Sequence, residues 1–417
     1  DHIKMIEIIS NISSEYLNET NLKGKKVLLK PNWVRHSVKD TDELCLRTND
    51  NFILAALEVV MSNSPASVVI GDAPVQGCRW ERMITKEFTN SVNEISKKYS
   101  IPVDIKDFRR VVFYAKDNKN IDNRRPLEDY IIFDVGKDSY LEPITSPDKN
   151  LFRVTQYNPD RFIQSHTKGM HKYCITKELF EADIVISLPK VKTHQKAGIT
   201  AALKNLVGVN GDKDFLPHHR LGGSDMGGDC YPGKNYLRYS AELLQDTANR
   251  HLGKPAYKFW VRVSAMIWRL SRPKKTDHLA AGWYGNDTTW RMVMDLNKIV
   301  NFGKRDGTLS DKPQRLLYSL CDGIVGGQGD GPLKPDPLNL GVVCFSDDSA
   351  RTDISMATLM GMDVNKIPLL QAAKSFMPER KITIRYNGKE VDLNDLKKDA
   401  VKAIPPPGWV NYLKAGD

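Results

Sequence analysis

Asp183-Ile184-Val185-Ile186-Ser187-Leu188, then Pro189-Lys190-Val191-Lys192-Thr193-His194, then Gly198-Ile199-Thr200 running on to Lys204-Asn205-Leu206-Val207-Gly208, is the stretch that decides how this chain folds. A short, nearly unbroken apolar run rich in β-branched residues is what a strand buried on both faces requires. The predicted strand ends at Leu188, Pro189 to Ala197 reads as a polar loop, and Gly198 to Val207 reads as a helix carrying Lys204 and Asn205. Strand, polar exit and helix form the unit of a parallel α/β sheet, and such sheets bind ligands at the carboxyl ends of their strands.

The same unit recurs upstream. Ile3, Ile6, Ile9 and Ile12 stand at near-helical spacing within residues 3–17, and Val27-Leu28-Leu29 reads as a strand ending at Lys30-Pro31-Asn32. Residues 50–62 read as a helix, Val68-Val69-Ile70 as a strand, and Gly71-Asp72-Ala73-Pro74 as its exit. Residues 80–99 suggest another helix, 110–157 a series of short strands, and 236–300 a helical region. Leu316 to Leu320 then reads as a strand, 323–332 as a glycine-rich loop, Leu340 to Phe345 as a strand, and 349–360 and 366–376 as helices. Ile382 to Tyr386, Asn387-Gly388 and Lys389 to Leu393 carry the signal of a hairpin with a type I′ turn. The expected fold is α/β, a mostly parallel sheet flanked by helices, with a helical insertion and a C-terminal β-hairpin. Its expected parts are an N-terminal α/β core (1–235), the helical insertion (236–305) and a C-terminal α/β part completing the core (306–417).

With 417 residues the chain can bury a large core without disulfides. A net charge of +10 favours an anionic partner: nucleic acid, an acidic membrane surface, or a phosphorylated or carboxylated small molecule. No basic run interleaved with aromatics and no nucleic-acid-binding signature occurs, so nucleic acid is not expected. Cys45, Cys78, Cys174, Cys230, Cys321 and Cys344 are scattered, without the close pairs of zinc-ribbon or iron–sulfur sites, so free thiols and no iron–sulfur cluster are expected. The chain opens on Asp1 without a basic-then-apolar leader, and no apolar stretch reaches the ~20 residues that span a bilayer. A cytoplasmic protein is the expectation, with peripheral membrane contact and a trimmed export signal left open.

Lys190, Lys192, Lys204, His194 and Asn205 gather at one strand exit, Lys30 and Asn32 at a second, and Asp72 at a third. Lysines cost several kcal/mol to desolvate unless paired, so such a cluster points to a phosphate or carboxylate site; a solvated loop is the alternative. Asp72 could bind a metal, act as a base, pair with a lysine or cap a helix. His166, His171, His194, His218 and His219 lie near Asp212, Asp225 and Asp229, without a zinc spacing such as His-Glu-x-x-His. Gly222-Gly223 and Gly227-Gly228 suggest a flap over the site, or a plain surface loop. Trp283 to Arg291 begins a helix with Asn286, Asp287 or Thr288 as cap, and Arg291, Asp295 and Asn297 are further candidates. Gly323 to Pro332 lacks the ending of a nucleotide-binding loop; Asp322 just before it is the better candidate. Tyr257 to Arg272 mixes aromatics with Lys258, Arg262, Arg269 and Arg272, as would a membrane-surface helix or an insertion helix packed on the body.

Taken in order, Lys30-Pro31-Asn32, Gly71-Asp72, Pro189 to His194, Lys204 to Gly208, Asp322 to Pro332, and Asp353 with Met360-Gly361 resemble the motifs of the domain of unknown function 362 family of bacterial and archaeal proteins, over most of residues 25–375. Some members carry ferredoxin-type cysteine motifs, which are missing here, so electron transfer is not carried over. Trp283 to Asn297 and the histidine-rich stretch resemble a subgroup associated with surface-polysaccharide gene clusters. The architecture is also distantly similar to lactate-racemase-like enzymes that bind a nickel cofactor, whose ligand motif has no match in this sequence.

The first expected function is an enzyme, of transferase or isomerase type, acting on an anionic small molecule or glycan precursor. His194, Asp72 and Lys192 would be catalytic, with His194 and Asp72 as the acid/base pair. Lys30, Asn32, Lys190, Lys204, Asn205, His218, His219 and Arg291 would bind substrate. If a divalent metal takes part, Asp72, His194 and Asp322 would ligate it. The second is a non-catalytic binding or scaffold protein for an acidic polymer or membrane surface, contacting it through residues 257–272.

Overall fold

A computed structural model describes residues 2–121, 124–272, 281–376 and 383–413. Its central sheet contains β1 (Lys26–Pro31), β2 (Ser67–Asp72), β3 (Val103–Asp107), β4 (Ile184–Leu188), β5 (Lys190–His194), β6 (Gly198–Thr200), β7 (Leu316–Asp330) and β8 (Lys334–Ser346). Parallel pairing joins β3 to β2, β2 to β1, β1 to β4 and β4 to β7, with Leu28 opposite both Val185 and Val69. Side chains alternate across a strand, so the apolar runs feed two cores at once. Leu28 and Val185 belong to one; Val27, Leu29, Ile184 and Ile186 belong to the other. The second core is covered by α1 (His2–Ser13), α2 (Asp50–Met61) and α3 (Lys86–Tyr99). Further on come α4 (Tyr236–Asn249), α5 (Ala256–Leu270), α6 (Thr289–Phe302) and α7 (Ser349–Leu359), of which α6 and α7 fill the first core.

The expected α/β class holds, and the C-terminal hairpin forms from Ile384–Tyr386 and Lys389–Val391. Asn387 (φ 49°) and Gly388 (φ 78°) supply its type I′ turn. Ile382, the expected start of that hairpin, lies outside the described residues, as do Asp122 and Asn123 in the short-strand region and residues 273–280 in the helical one.

Four local expectations change. Pro189 to Ala197 is not a loop: β5 occupies most of it, and Gly198 to Val207 begins as β6 before the short helix Ala202–Asn205. The glycine-rich run is not a loop either, since β7 continues through it to Asp330, paired antiparallel with β8. Glycine is required there by close packing, because a Cβ on Gly327 would lie 2.7 Å from Lys192 Cβ. Residues 80–99 divide into Trp80–Met83 and α3, with Thr85 capping α3 through the Phe88 amide. Lastly, the helical region is not uniform. Met292, Val293, Leu296 and Ile299 of α6 lie in the main core, whereas α4 and α5 pack on one another, with Ser264 Oγ donating to the Ala241 carbonyl.

The route of β5 creates the functional geometry. β8 runs along one edge of β7, so β4 and β5 take successive parts of the other edge: Ile184 to Ser187 opposite Leu316 to Ser319, then Lys190 opposite Asp322 and Lys192 opposite Gly327. β1 continues the sheet beyond β4, and β6 continues it beyond β5. The sheet therefore forks at Pro189.

Candidate functional site

Where the branches part, the end of β1, the exit of β2, β5, β6 and the helix Ala202–Asn205 border one cavity of about 610 Å³. Its wall includes Asn32, Asp72, Gln76, Lys192, His194, Lys196, Thr200, Lys204, Asn205, Lys213 and His218.

A buried network holds the fork. Lys30 Nζ donates to Asp72 Oδ1 (2.6 Å), to the Pro31 carbonyl (2.9 Å) and to Asn205 Oδ1 (3.2 Å). Asp72 also accepts the amides of Trp33 (2.8 Å) and Ala73 (2.9 Å). Asn205 Nδ2 donates to the Lys30 carbonyl and to Ser187 Oγ, and Asn32 Nδ2 reaches Asn205 Oδ1. Three strand ends and the helix are thus stitched together through Lys30, Asp72 and Asn205. With both oxygens of Asp72 occupied, the carboxylate balances Lys30 and holds loops, a different place from the acid/base role expected of it. A Cβ on Gly208 would lie against Asp72 Oδ1 and Lys30 Nζ. Gly208→Ala is accordingly expected to cost about 1–3 kcal/mol through overpacking, measured as a lower urea midpoint with an unchanged slope.

The lysines divide into two kinds. Lys190 is buried against Asp322 at 2.9 Å, and Asp322 also accepts the Asn49 amide, so this pair lies beneath the cavity instead of lining it. Lys192, fully buried, donates to the Leu46 carbonyl, and burial followed by the nearby Lys190 pushes its pKa well below the usual lysine range. Burial likewise pulls Lys204 down to about 7, with Lys213 and Lys196 adding repulsion. Lys196 and Lys213 are lowered to about 8, again mainly by burial. Among the described residues Asp72 is the one acidic residue on this wall, and it already pairs with Lys30. The cavity therefore presents several lysine amines whose protonated form a bound anion would stabilise.

His194 Nδ1 accepts the amides of Lys196 (3.0 Å) and Ala197 (3.2 Å). Burial, then Lys204 and His218, hold its pKa well below the ordinary value, so the ring is neutral with its proton on Nε2. His218 is lowered in the same way. Asn32 Oδ1, Thr200 Oγ1 and both amide atoms of Gln76 are buried on this wall with no partner among the described residues. Cationic, donor and acceptor groups thus converge, as a polar anionic ligand requires.

Other expected site residues lie elsewhere. Arg291 bonds Asp287 and the Tyr140 carbonyl and stacks on Trp290. His219 is in a two-residue strand opposite Arg153, and unlike its neighbour His218 it does not line the cavity. His166 and His171 contact each other, with Glu142 and the Phe215 carbonyl as their further partners. Asp295 holds Ser139, Tyr140 and Tyr173, and Asn297 bonds backbone carbonyls. Asp72, His194 and Asp322 do not come together as a metal-ligand group among the described residues, because each carboxylate is drawn to its own lysine. The expected flap is closed on itself, Cys230 and Gly228 donating to the carbonyls of Gly222 and Gly223. All six cysteines are unbridged. Lys196, Lys213, Gln76 and Thr200 are on the wall but were not singled out from sequence. Lys196 and Thr200 belong to the Pro189 to Val207 segment, whose assignment as loop and helix hid a hairpin.

Fold and cavity together define the class: an α/β protein with a cationic, histidine-containing pocket at the split in its sheet. The chain belongs to the family described as Domain of unknown function (DUF362), whose model matches residues 138–358. That range holds β4 to β8 in full, and begins after Lys30 and Asp72. The chain is 23% identical over 221 residues to the Thylakoid-associated protein sll1697 of Synechocystis sp., a match covering 53% of this chain and 44% of that protein, so it spans under half of the relative's length. A solved structure from Thermotoga maritima is 10% identical with a TM-score of 0.38, covering 90% of this chain and 59% of that one.

Proposed function

We propose that the forked-sheet cavity binds an anionic small molecule or glycan precursor, through phosphate or carboxylate oxygens, and catalyses proton-coupled group transfer or isomerisation on it. The observation that carries this reading is the convergence of Lys192, Lys196, Lys204, Lys213, His194 and His218 on one cavity where Asp72, the one carboxylate among the described lining residues, is already neutralised. Lysines held down near neutral pH exchange protons readily, so a lysine such as Lys204 suits a base and the Nε2–H of His194 a donor to developing charge. A glycan precursor agrees with the resemblance of Trp283 to Asn297 to members associated with polysaccharide clusters. Thermal-shift titration of the whole chain with inorganic phosphate, sugar phosphates and uronates tests the reading. A rise in Tm that saturates supports it, and no rise with any of them removes it.

A second reading, a peripheral membrane or acidic-polymer contact, is favoured by α5. Its outer face exposes Phe259 (59%), Met266 (56%) and Leu270 (59%) among exposed Lys258, Arg262 and Arg269, the composition of an interfacial helix. The relative's name, thylakoid-associated, agrees with it. No helix among the described residues is long and apolar enough to cross a membrane. Affinity for anionic vesicles, measured by sedimentation, should fall about thirtyfold or more in Arg262→Glu/Arg269→Glu, at about 1 kcal/mol per lost basic residue. Equal sedimentation with neutral vesicles would remove the electrostatic reading.

A further inference from the structure

Behind the cavity lies a second cluster. His219, Cys230 and Glu242 are all buried, and one ligand atom from each lies within 4.8 Å of the other two. They come from three separate segments: a strand paired with Arg153, the loop that follows it, and α4. We propose that His219, Cys230 and Glu242 bind a divalent ion of the zinc class, leaving a fourth position for water or another oxygen donor.

The local bonding favours this assignment. Asp229 accepts the Arg220 amide, the Asp287 amide and Thr288 Oγ1, and Asp246 pairs with Arg153 at 2.9 Å, so the neighbouring carboxylates are already engaged. Glu242 is different. Its Oε2 accepts the Gly222 amide at 2.8 Å and the Cys230 thiol lies within hydrogen-bonding reach of its carboxylate, whereas among the described residues neither backbone nor oxygen or nitrogen side-chain groups partner its buried Oε1 or His219 Nδ1. Two such polar atoms beside a buried thiol, in side chains of imidazole, thiolate and carboxylate type, are the donor set of zinc sites with an open position. Ligand distances of about 2.0–2.3 Å in a tetrahedron separate donors by about 3.5 Å, so the cluster need close by only about 1 Å at its widest limit. Existing bonds already orient it: Gly222 fixes Glu242, and the Cys230 amide donates to the Gly222 carbonyl at 2.9 Å. His218 lines the cavity and its neighbour His219 does not, so the ion would brace one wall of the pocket without entering it.

The full chain is loaded with zinc sulfate, desalted and measured for zinc by mass spectrometry, and a parallel sample is titrated with cobalt(II). The expected result is about one zinc per chain, with an affinity falling at least tenfold in Cys230→Ser and Glu242→Gln. The unaltered protein should also show a thiolate-to-cobalt charge-transfer band, whatever the fate of the variants. Zinc content well below one per chain, zinc retained undiminished in well-folded Cys230→Ser, or a cobalt spectrum without that band would each overturn the assignment.

Discussion

Asp72→Ala is expected to destabilise the protein by about 3–5 kcal/mol, the penalty for leaving one member of a buried pair unpartnered. Lys30 is fully buried, and its 2.6 Å contact with Asp72 supplies its charge partner. Without that carboxylate the ammonium must either deprotonate, as its lowered pKa already favours, or draw water inside. The same change frees the Trp33 and Ala73 amides, loosening the cavity wall between the ends of β1 and β2. Lys30→Met combined with Asp72→Leu should recover most of the lost stability, because a buried pair exchanged for apolar groups of similar volume is often neutral. Urea denaturation of the two single variants and the double variant checks this. Independent, additive losses would show that the pair is not coupled.

Lys192→Met and Lys204→Met should each weaken binding of millimolar sulfate or a sugar phosphate by about tenfold or more, since one hydrogen bond to a charged group contributes about 1.5–3 kcal/mol. The pH dependence follows from the lowered lysine values. The unfolded chain holds these protons up to the ordinary lysine pKa near 10.5, whereas folded Lys204 releases its proton near 7 and Lys196 and Lys213 near 8. In that interval the unfolded state binds more protons, so the contribution of these groups to stability is poorest below about 7 and improves as pH rises. A bound anion removes that penalty. The thermal shift produced by sulfate, which stays doubly charged throughout, should therefore be largest near pH 6.5 and fade towards pH 9. A shift that is flat or grows with pH would exclude these lysines as the anion contacts.

Local sequence pattern and tertiary structure part at Pro189. The apolar runs of β1, β2 and β4 are continuous because both faces are covered, and that pattern is local enough to read directly. Lys190, Lys192 and His194 alternate on a strand with buried flanks, yet their polarity imitates a loop. Only the neighbouring β7 and β6 reveal β5 as sheet. The glycines of β7 misled in the same way: they signal flexibility in isolation, but Gly327 stands where another strand presses close.

The sequence by itself determined the α/β class, the strands and exits that carry Lys30 and Asp72, the strand Ile184 to Leu188, and the turn at Asn387-Gly388, because each rests on periodicity or turn chemistry within a few residues. Tertiary structure alone decided which lysines face the cavity and which are neutralised beneath it. Lys30 meets Asp72 across 42 positions and Asn205 across 175, and Lys190 meets Asp322 across 132. The same holds for His219, Cys230 and Glu242, whose spacing fits no motif. Charge pairing and ligation depend on distances of a few ångströms, and those are set by how strands pair, not by their order in the chain.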